Sequence, residues 1–407
     1  PFSSLLFSLM SIPPQKVQLV TRQFVLLFLG HFFQALGWTS MLLFPLYLDY
    51  LEASRAEIGI VVSSAAIGGL IFRPVVGWSL DVLGRKPTLI WGTVLLILSL
   101  LIVGLVESLG PLMYIHRIVY GVGTGALFTG YFAFAADIVP LSRRTEGLAL
   151  FGISGLLPLA LTPFVNELGI KGEDLRLFFP MVGGVILISL GAVLLIKEPV
   201  RQKTKTVKSF YESLPDLVKP VTWSVWWAMI VFAGMVCGFM TFVTVSAANR
   251  GVEQPAIMWL TYALFACTVR LFGGSLPDRI GTHNLVTPAL GCYCIAVLIA
   301  ASADEKIGFL AAGAFGGVGH GYVFPVLASQ VVSRTPRVVR GTAMALFTAI
   351  PEVVTLGLAP LLGAFSDQFS DAAMFSLVAA VGLLGLVLWA FLEHFSMNQV
   401  STVEEES

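Results

Sequence analysis

Four ionisable side chains stand in stretches built otherwise of apolar residues: His31, Arg117, His320 and Glu352. A charge placed in hydrocarbon costs at least ~3 kcal/mol on insertion scales, so each is a candidate for function. A carboxylate or an imidazole in such surroundings is suited to gain and lose a proton, and a guanidinium to hold an anion. His31 shares a helix face with Gln34 and Trp38, at helical spacing. Arg117 heads a face of Tyr120, Thr124, Phe128 and Tyr131. Glu352 lies between Thr348 and Thr355 on its own face, just after Pro351, and a softer stripe of Cys237, Thr241 and Thr244 lies elsewhere. Glu352 is the expected proton carrier, with His31 as the second candidate. An ionised carboxylate there needs a cation close by, and His320 or Arg117 is the expected one. For His31 and His320, a hydrogen-bonded packing role is the competing account.

These residues are positioned by a duplicated unit. Arg73, Gly77, Asp81 and Gly84, followed by Arg85 and Lys86, recur with the same spacing as Arg270, Gly274, Asp278 and Gly281, 197 positions further on. Gly121, Gly123 and Gly125 recur as Gly317, Gly319 and Gly321, which pairs Thr124 with His320. Arg117 has no such counterpart, because Gly313 takes its place. Landmarks repeated in order at a nearly constant offset mark two parallel halves, an organisation found in membrane carriers.

Composition fixes the solvent. The chain of 407 residues is 57% hydrophobic and 12% charged, with mean hydropathy +0.88. A soluble domain carries about 25% charged residues, so the lipid bilayer is the medium here. The net charge of zero argues against nucleic acid as a partner. The four cysteines sit in apolar runs, and Cys292 with Cys294 has no third ligand nearby, so no metal and no cofactor are expected. There is no phosphate-binding Gly-x4-Gly-Lys-Ser/Thr loop and no nucleophile–base constellation, so the chain is not expected to be an enzyme or an ATP-driven pump.

A bilayer core takes ~20 apolar residues per helix. Twelve such runs fit, at 24–48, 58–79, 88–106, 112–138, 147–164, 175–196, 223–245, 256–276, 285–302, 307–332, 341–365 and 372–391. An all-α membrane protein follows, in two pseudo-symmetric six-helix bundles at 24–196 and 222–391. They are joined by a basic cytoplasmic loop at 197–221 and flanked by an N-terminal segment (1–23, with an apolar interfacial stretch at 2–12) and a tail (392–407). With the N-terminus in the cytoplasm, most of the 24 Lys and Arg fall on that side, so both termini are expected there. Arg73, Arg117 and Arg270 lie inside the runs, and Arg73 and Arg270 are expected to snorkel to the interface.

Gly77, Asp81, Gly84, Arg85 and Lys86 after the second run, with Arg117, Gly121 and Gly123 in the fourth, make the chain resemble the major facilitator superfamily over about residues 20–395. The resemblance implies twelve spans around a central cavity lined by the first, fourth, seventh and tenth. His31, Gln34, Trp38, Arg117, Tyr120, Thr124, Thr241 and His320 are then the expected solute-binding residues. Gly77, Asp81, Gly84, Arg85, Asp137 and Asp278 are expected to latch the cytoplasmic side shut. In that latch Asp81 faces the start of the eleventh span near Gly341, and Arg85 pairs with Asp137. The fifth run, with Gly152, Gly155 and Pro158, departs from the Gly-Pro-x-x-Gly-Gly element of the superfamily's efflux branch. The expected function is secondary transport in the cytoplasmic (inner) membrane by a monomer: proton-coupled export of a small amphiphilic or partly anionic solute. The alternative is proton symport or facilitative uptake of an organic anion.

Overall fold

The structure, a computed structural model, describes residues 18–140, 143–198, 210–274, 276–336 and 339–405. The expected interfacial stretch at 2–12 and part of the basic loop, at 199–209, lie outside them. The described residues form α1 (Arg22–Tyr50), α2 (Arg55–Ile71, bent by 47° onto Arg73–Leu83), α3 (Arg85–Val103), α4 (Pro111–Ile138), α5 (Arg144–Leu156), α6 (Asp174–Leu195), α7 (Pro220–Asn249), α8 (Met258–Phe272), α9 (Thr282–Ser302), α10 (Lys306–Arg334), α11 (Arg340–Gln368) and α12 (Asp371–Glu405). Nine of these are long and apolar enough to cross a bilayer unaided; α2 qualifies as a bent pair, and α5 and α8 are shorter.

Local chemistry sets the ends and the bends. Ser54 and Glu57 form a reciprocal capping box at the start of α2. Pro74 opens the second piece of α2, where a missing N–H is tolerated. That piece ends in a wide π turn at Ser79–Leu83, closed by Gly84 at φ 126°. Gly281, its repeat counterpart, also has a positive φ, of 85°. Both glycines of the duplicated motif therefore occupy backbone that side chains disfavour, which explains the residue type.

The repeat is visible in the packing. A Cβ on Gly121 of α4 would strike the carbonyl of Ala65 in α2, and one on Gly317 of α10 would strike the carbonyl of Tyr262 in α8. Residues 65 and 262 are separated by the same offset as the motif. Small residues thus let α4 lie on α2 and α10 on α8 at backbone distance, as close membrane packing requires.

The halves meet where α2 packs on α11, α5 on α8, and the end of α1 on α7. At the Arg55 end they are clasped. Gly363 meets the backbone of Arg55 and Ala56, and Gly59 meets Ala359 and Pro360. Asp367 accepts from the N–H groups of Arg55 and Ala56, both at 2.7 Å, while the Arg55 guanidinium bridges Asp49 (2.9 Å) and Asp371 (3.2 Å). At the opposite end, Gly77 faces open space and Trp78 is exposed.

One boundary differs from expectation. The stretch read as a tail continues α12 to Glu405, and Glu393 within it is buried. Its carboxylate takes both Nη atoms of Arg334 (2.9 and 2.5 Å) and the Ser224 hydroxyl (2.6 Å), tying α12, α10 and α7 together. A charged residue past the apolar run reads as the end of a span, but here a partnered carboxylate lets the helix carry on.

Candidate substrate and coupling site

Glu352 lies on α11 where that helix crosses α2. Its Oε1 is 2.7 Å from Nη2 of Arg73, and its Oε2 is buried without a partner among the described residues. Arg73 also donates through Nη1 to Thr348 Oγ1 (2.8 Å) and to the Ala345 carbonyl (3.1 Å). Gly69 of α2 backs onto the carboxyl, so that a Cβ there would sit 3.0 Å from Oε2. The expected cation was His320 or Arg117; the structure supplies Arg73 instead. The bend in α2 and the α2–α11 crossing turn Arg73 inward between the halves, so it does not snorkel.

Arg117, an expected solute contact, is engaged here by groups of the protein itself. It is buried, donating Nη2 to the Val62 carbonyl (2.7 Å) and Nε to the Val61 carbonyl (3.2 Å), with Nη1 3.7 Å from the Met41 sulfur. Its carbon Cζ stands 4.8 Å from the ring centre of Tyr120 and 5.3 Å from that of Phe44. The guanidinium thus satisfies α2 carbonyls just before the Ser63–Ser64 turn and sandwiches itself between rings. Arg117→Ala should therefore lower the thermal unfolding midpoint in detergent, with a loss of ~2–4 kcal/mol from orphaned carbonyls and a cavity. An unchanged midpoint with abolished flux would instead place Arg117 in the solute path.

His31 is buried, with Nδ1 2.7 Å from Ser154 Oγ and its ring stacked on Phe151 at 4.8 Å. Gly155 leaves room for that ring. His320 Nδ1 is 2.7 Å from the Tyr262 hydroxyl, and its ring meets Phe232 edge-on. Gln34 and Thr241 are buried and Trp38 is half-buried, while Thr124 bonds back to its own helix at Tyr120 O (2.8 Å). Between the halves runs a chain of rings in contact, Phe132–Phe128–Phe324–Phe347, with the cross-half step Phe128–Phe324 at 6.4 Å. The structure therefore spreads the expected solute residues over two aromatic nests and a helix bend, and it gathers an ion pair and rings between the halves.

The model of the Major Facilitator Superfamily matches residues 27–349 and 247–405. The chain belongs to that superfamily. It is a membrane transporter, similar to the uncharacterized MFS-type transporter STM4428 of Salmonella typhimurium, at 25% identity over 85% of this chain and 89% of that one. It also resembles Multidrug resistance protein 2 of Bacillus subtilis, at 25% identity over 65% of this chain and 68% of the relative. In fold it matches the solved nucleoside transporter NupG with a TM-score of 0.74 at 14% identity, over 91% of this chain and all of that one.

The superfamily's loop motif works here within the first half. Arg85 Nε is 3.0 Å from Asp137 and its Nη1 is 3.5 Å from Asp81. The N–H groups of Arg85 and Lys86, at the start of α3, donate to Glu198 at 2.7 and 2.8 Å. Gly77 approaches no helix of the other half in this structure. The side chain of Asp278 and the surroundings of Gly341 lie outside the described residues. Glu198, Glu393 and Arg334 escaped the reading of the sequence because polar residues at span ends look like ordinary topology signals.

Proposed function

We propose that the protein is a monomeric secondary active transporter that exports a small amphiphilic or partly anionic solute in exchange for protons. The chain crosses the cytoplasmic membrane twelve times with both termini in the cytoplasm, and the two halves rock about a central path. The Arg55 clasp then lies on the outer side and the motif end on the cytoplasmic side. The Arg73–Glu352 pair carries this reading, since it is a titratable bond between the two halves at the depth where they part. Protonating Glu352 removes one charge of that bond, which gives the proton differential leverage over the two states. The similarity to a multidrug resistance protein favours export over uptake.

The test is flux in inside-out proteoliposomes with an acid lumen, using a panel of fluorescent amphiphilic anions and cations. Movement of at least one probe against its gradient, stopped by collapsing the pH difference, is expected. Movement that persists after the collapse overturns proton coupling, and movement toward the cytoplasmic face overturns export.

A further inference from the structure

Arg270 is the repeat counterpart of Arg73, in the last turn of α8. Arg73 has a carboxylate and two groups of α11 for company; Arg270 has none of these. Its Nε is buried without a partner, and no hydrogen bond or acid meets its guanidinium among the described residues. On α5, which packs on α8 as α11 packs on α2, the apolar stretch 147–163 contains no acid. Nη1 of Arg270 lies against Gly152, where a Cβ would be only 2.7 Å away. The glycine makes room for the cation but offers it nothing. A lone cation at membrane depth between two moving halves is costly unless an anion joins it.

The surroundings say what kind of anion. His320 is an electrostatic neighbour of Arg270, with Nδ1 held by Tyr262 and no hydrogen bond at Nε2 among the described residues. Phe324 stands one turn beyond His320 on α10 and begins the cross-half step to Phe128, which is 42% exposed. From the other side, Phe151, next to Gly152, meets Phe132 at 5.4 Å, and Phe132 meets Phe128 at 5.1 Å. A cation therefore sits beside a path of rings.

We propose that Arg270 anchors the negative end of the transported solute, a carboxylate or similar monoanion on an aromatic body, beside Gly152 of the first half. In one repeat the arginine is answered by the protein's own acid, in the other by cargo. This deepens the transport reading above and rests on it. It explains why a duplicated arginine keeps its charge where its partner was not duplicated.

Binding, measured separately from flux, tests it. The probes are 1-naphthoate and its neutral isostere 1-naphthamide, titrated calorimetrically into the full chain in detergent. Wild type should bind the acid about tenfold or more tightly than the amide, as a charge-assisted hydrogen bond implies. Arg270→Gln should lose that preference while binding the amide as before, which also shows that it folds. Gly152→Asp, which supplies the missing carboxylate, should abolish naphthoate binding without lowering the thermal midpoint. Undiminished naphthoate binding by Arg270→Gln overturns the proposal, as does a wild type that binds neither probe or does not distinguish them. Loss of pH-driven flux with the binding pattern intact would overturn proton coupling alone.

Discussion

Glu352→Gln is expected to keep solute exchange and lose accumulation driven by a pH difference. The amide fills the same volume against Gly69 and can still accept from Arg73 through its oxygen, so the α2–α11 crossing is retained. What disappears is the change of charge. One pH unit is worth about 1.4 kcal/mol per proton, so one-for-one coupling can concentrate a neutral solute about tenfold across a one-unit difference. Wild-type vesicles should approach that ratio; the Gln variant should stay near onefold, with counterflow exchange within about twofold of normal. Accumulation by the Gln variant equal to wild type would move the proton to another group, with His31 next in line. Equal loss of exchange and accumulation would make Glu352 a structural element of the crossing.

Asp367→Ala should open the Arg55 end. Two backbone N–H groups at the first turn of α2 lose a common carboxylate acceptor 2.7 Å from each, and the positive end of that helix loses its counter-charge. Hydrogen bonds to charged groups contribute about 1.5–3 kcal/mol each, and exposure at this rim argues for the low end of that range. A shift of about tenfold or more in the ratio of open to closed molecules follows. Spin labels at positions 52 and 370, exposed on opposite halves at this rim, should report a longer-distance population in the variant, on a background without the four native cysteines. An unchanged distance distribution would assign the closure to the glycine contacts at positions 59 and 363.

The sequence speaks clearly where a residue's neighbours lie along the chain or along its repeat, and faintly where they come from another helix. Gly84 and Gly281 announce their turns because a positive φ is a local demand, and the glycine runs in the fourth and tenth spans announce close packing because they recur. Arg85 and Asp137 were paired through the resemblance and lie 3.0 Å apart. The partner of Glu352 was not legible. Distance along the chain says nothing of which helix crosses α11 at that depth, and His320 and Arg117 were favoured over Arg73 because they stand deeper in apolar sequence. The partners of Arg117 were hidden for a related reason. The carbonyls that it meets, of Val61 and Val62, belong to another helix, and nothing near Arg117 along the chain points to them. Glu393 shows the same limit at a span end, where only the partner tells a buried acid from a solvated one.

The Arg334–Glu393–Ser224 knot and the Arg85–Asp137 and Glu198 contacts share a mechanical consequence. Each binds the helices of one half together at the end away from the clasp, so each half is braced like the far end of a stiff lever. In the rocking motion proposed above, with glycines in close contact at the other end, a rotation of a few degrees there would be carried along an arm of ~30 Å, the thickness of the bilayer core. A gate that moves in this way would have no need of helices that bend or unwind one at a time, and its opening width would be set by where the glycine contact lies.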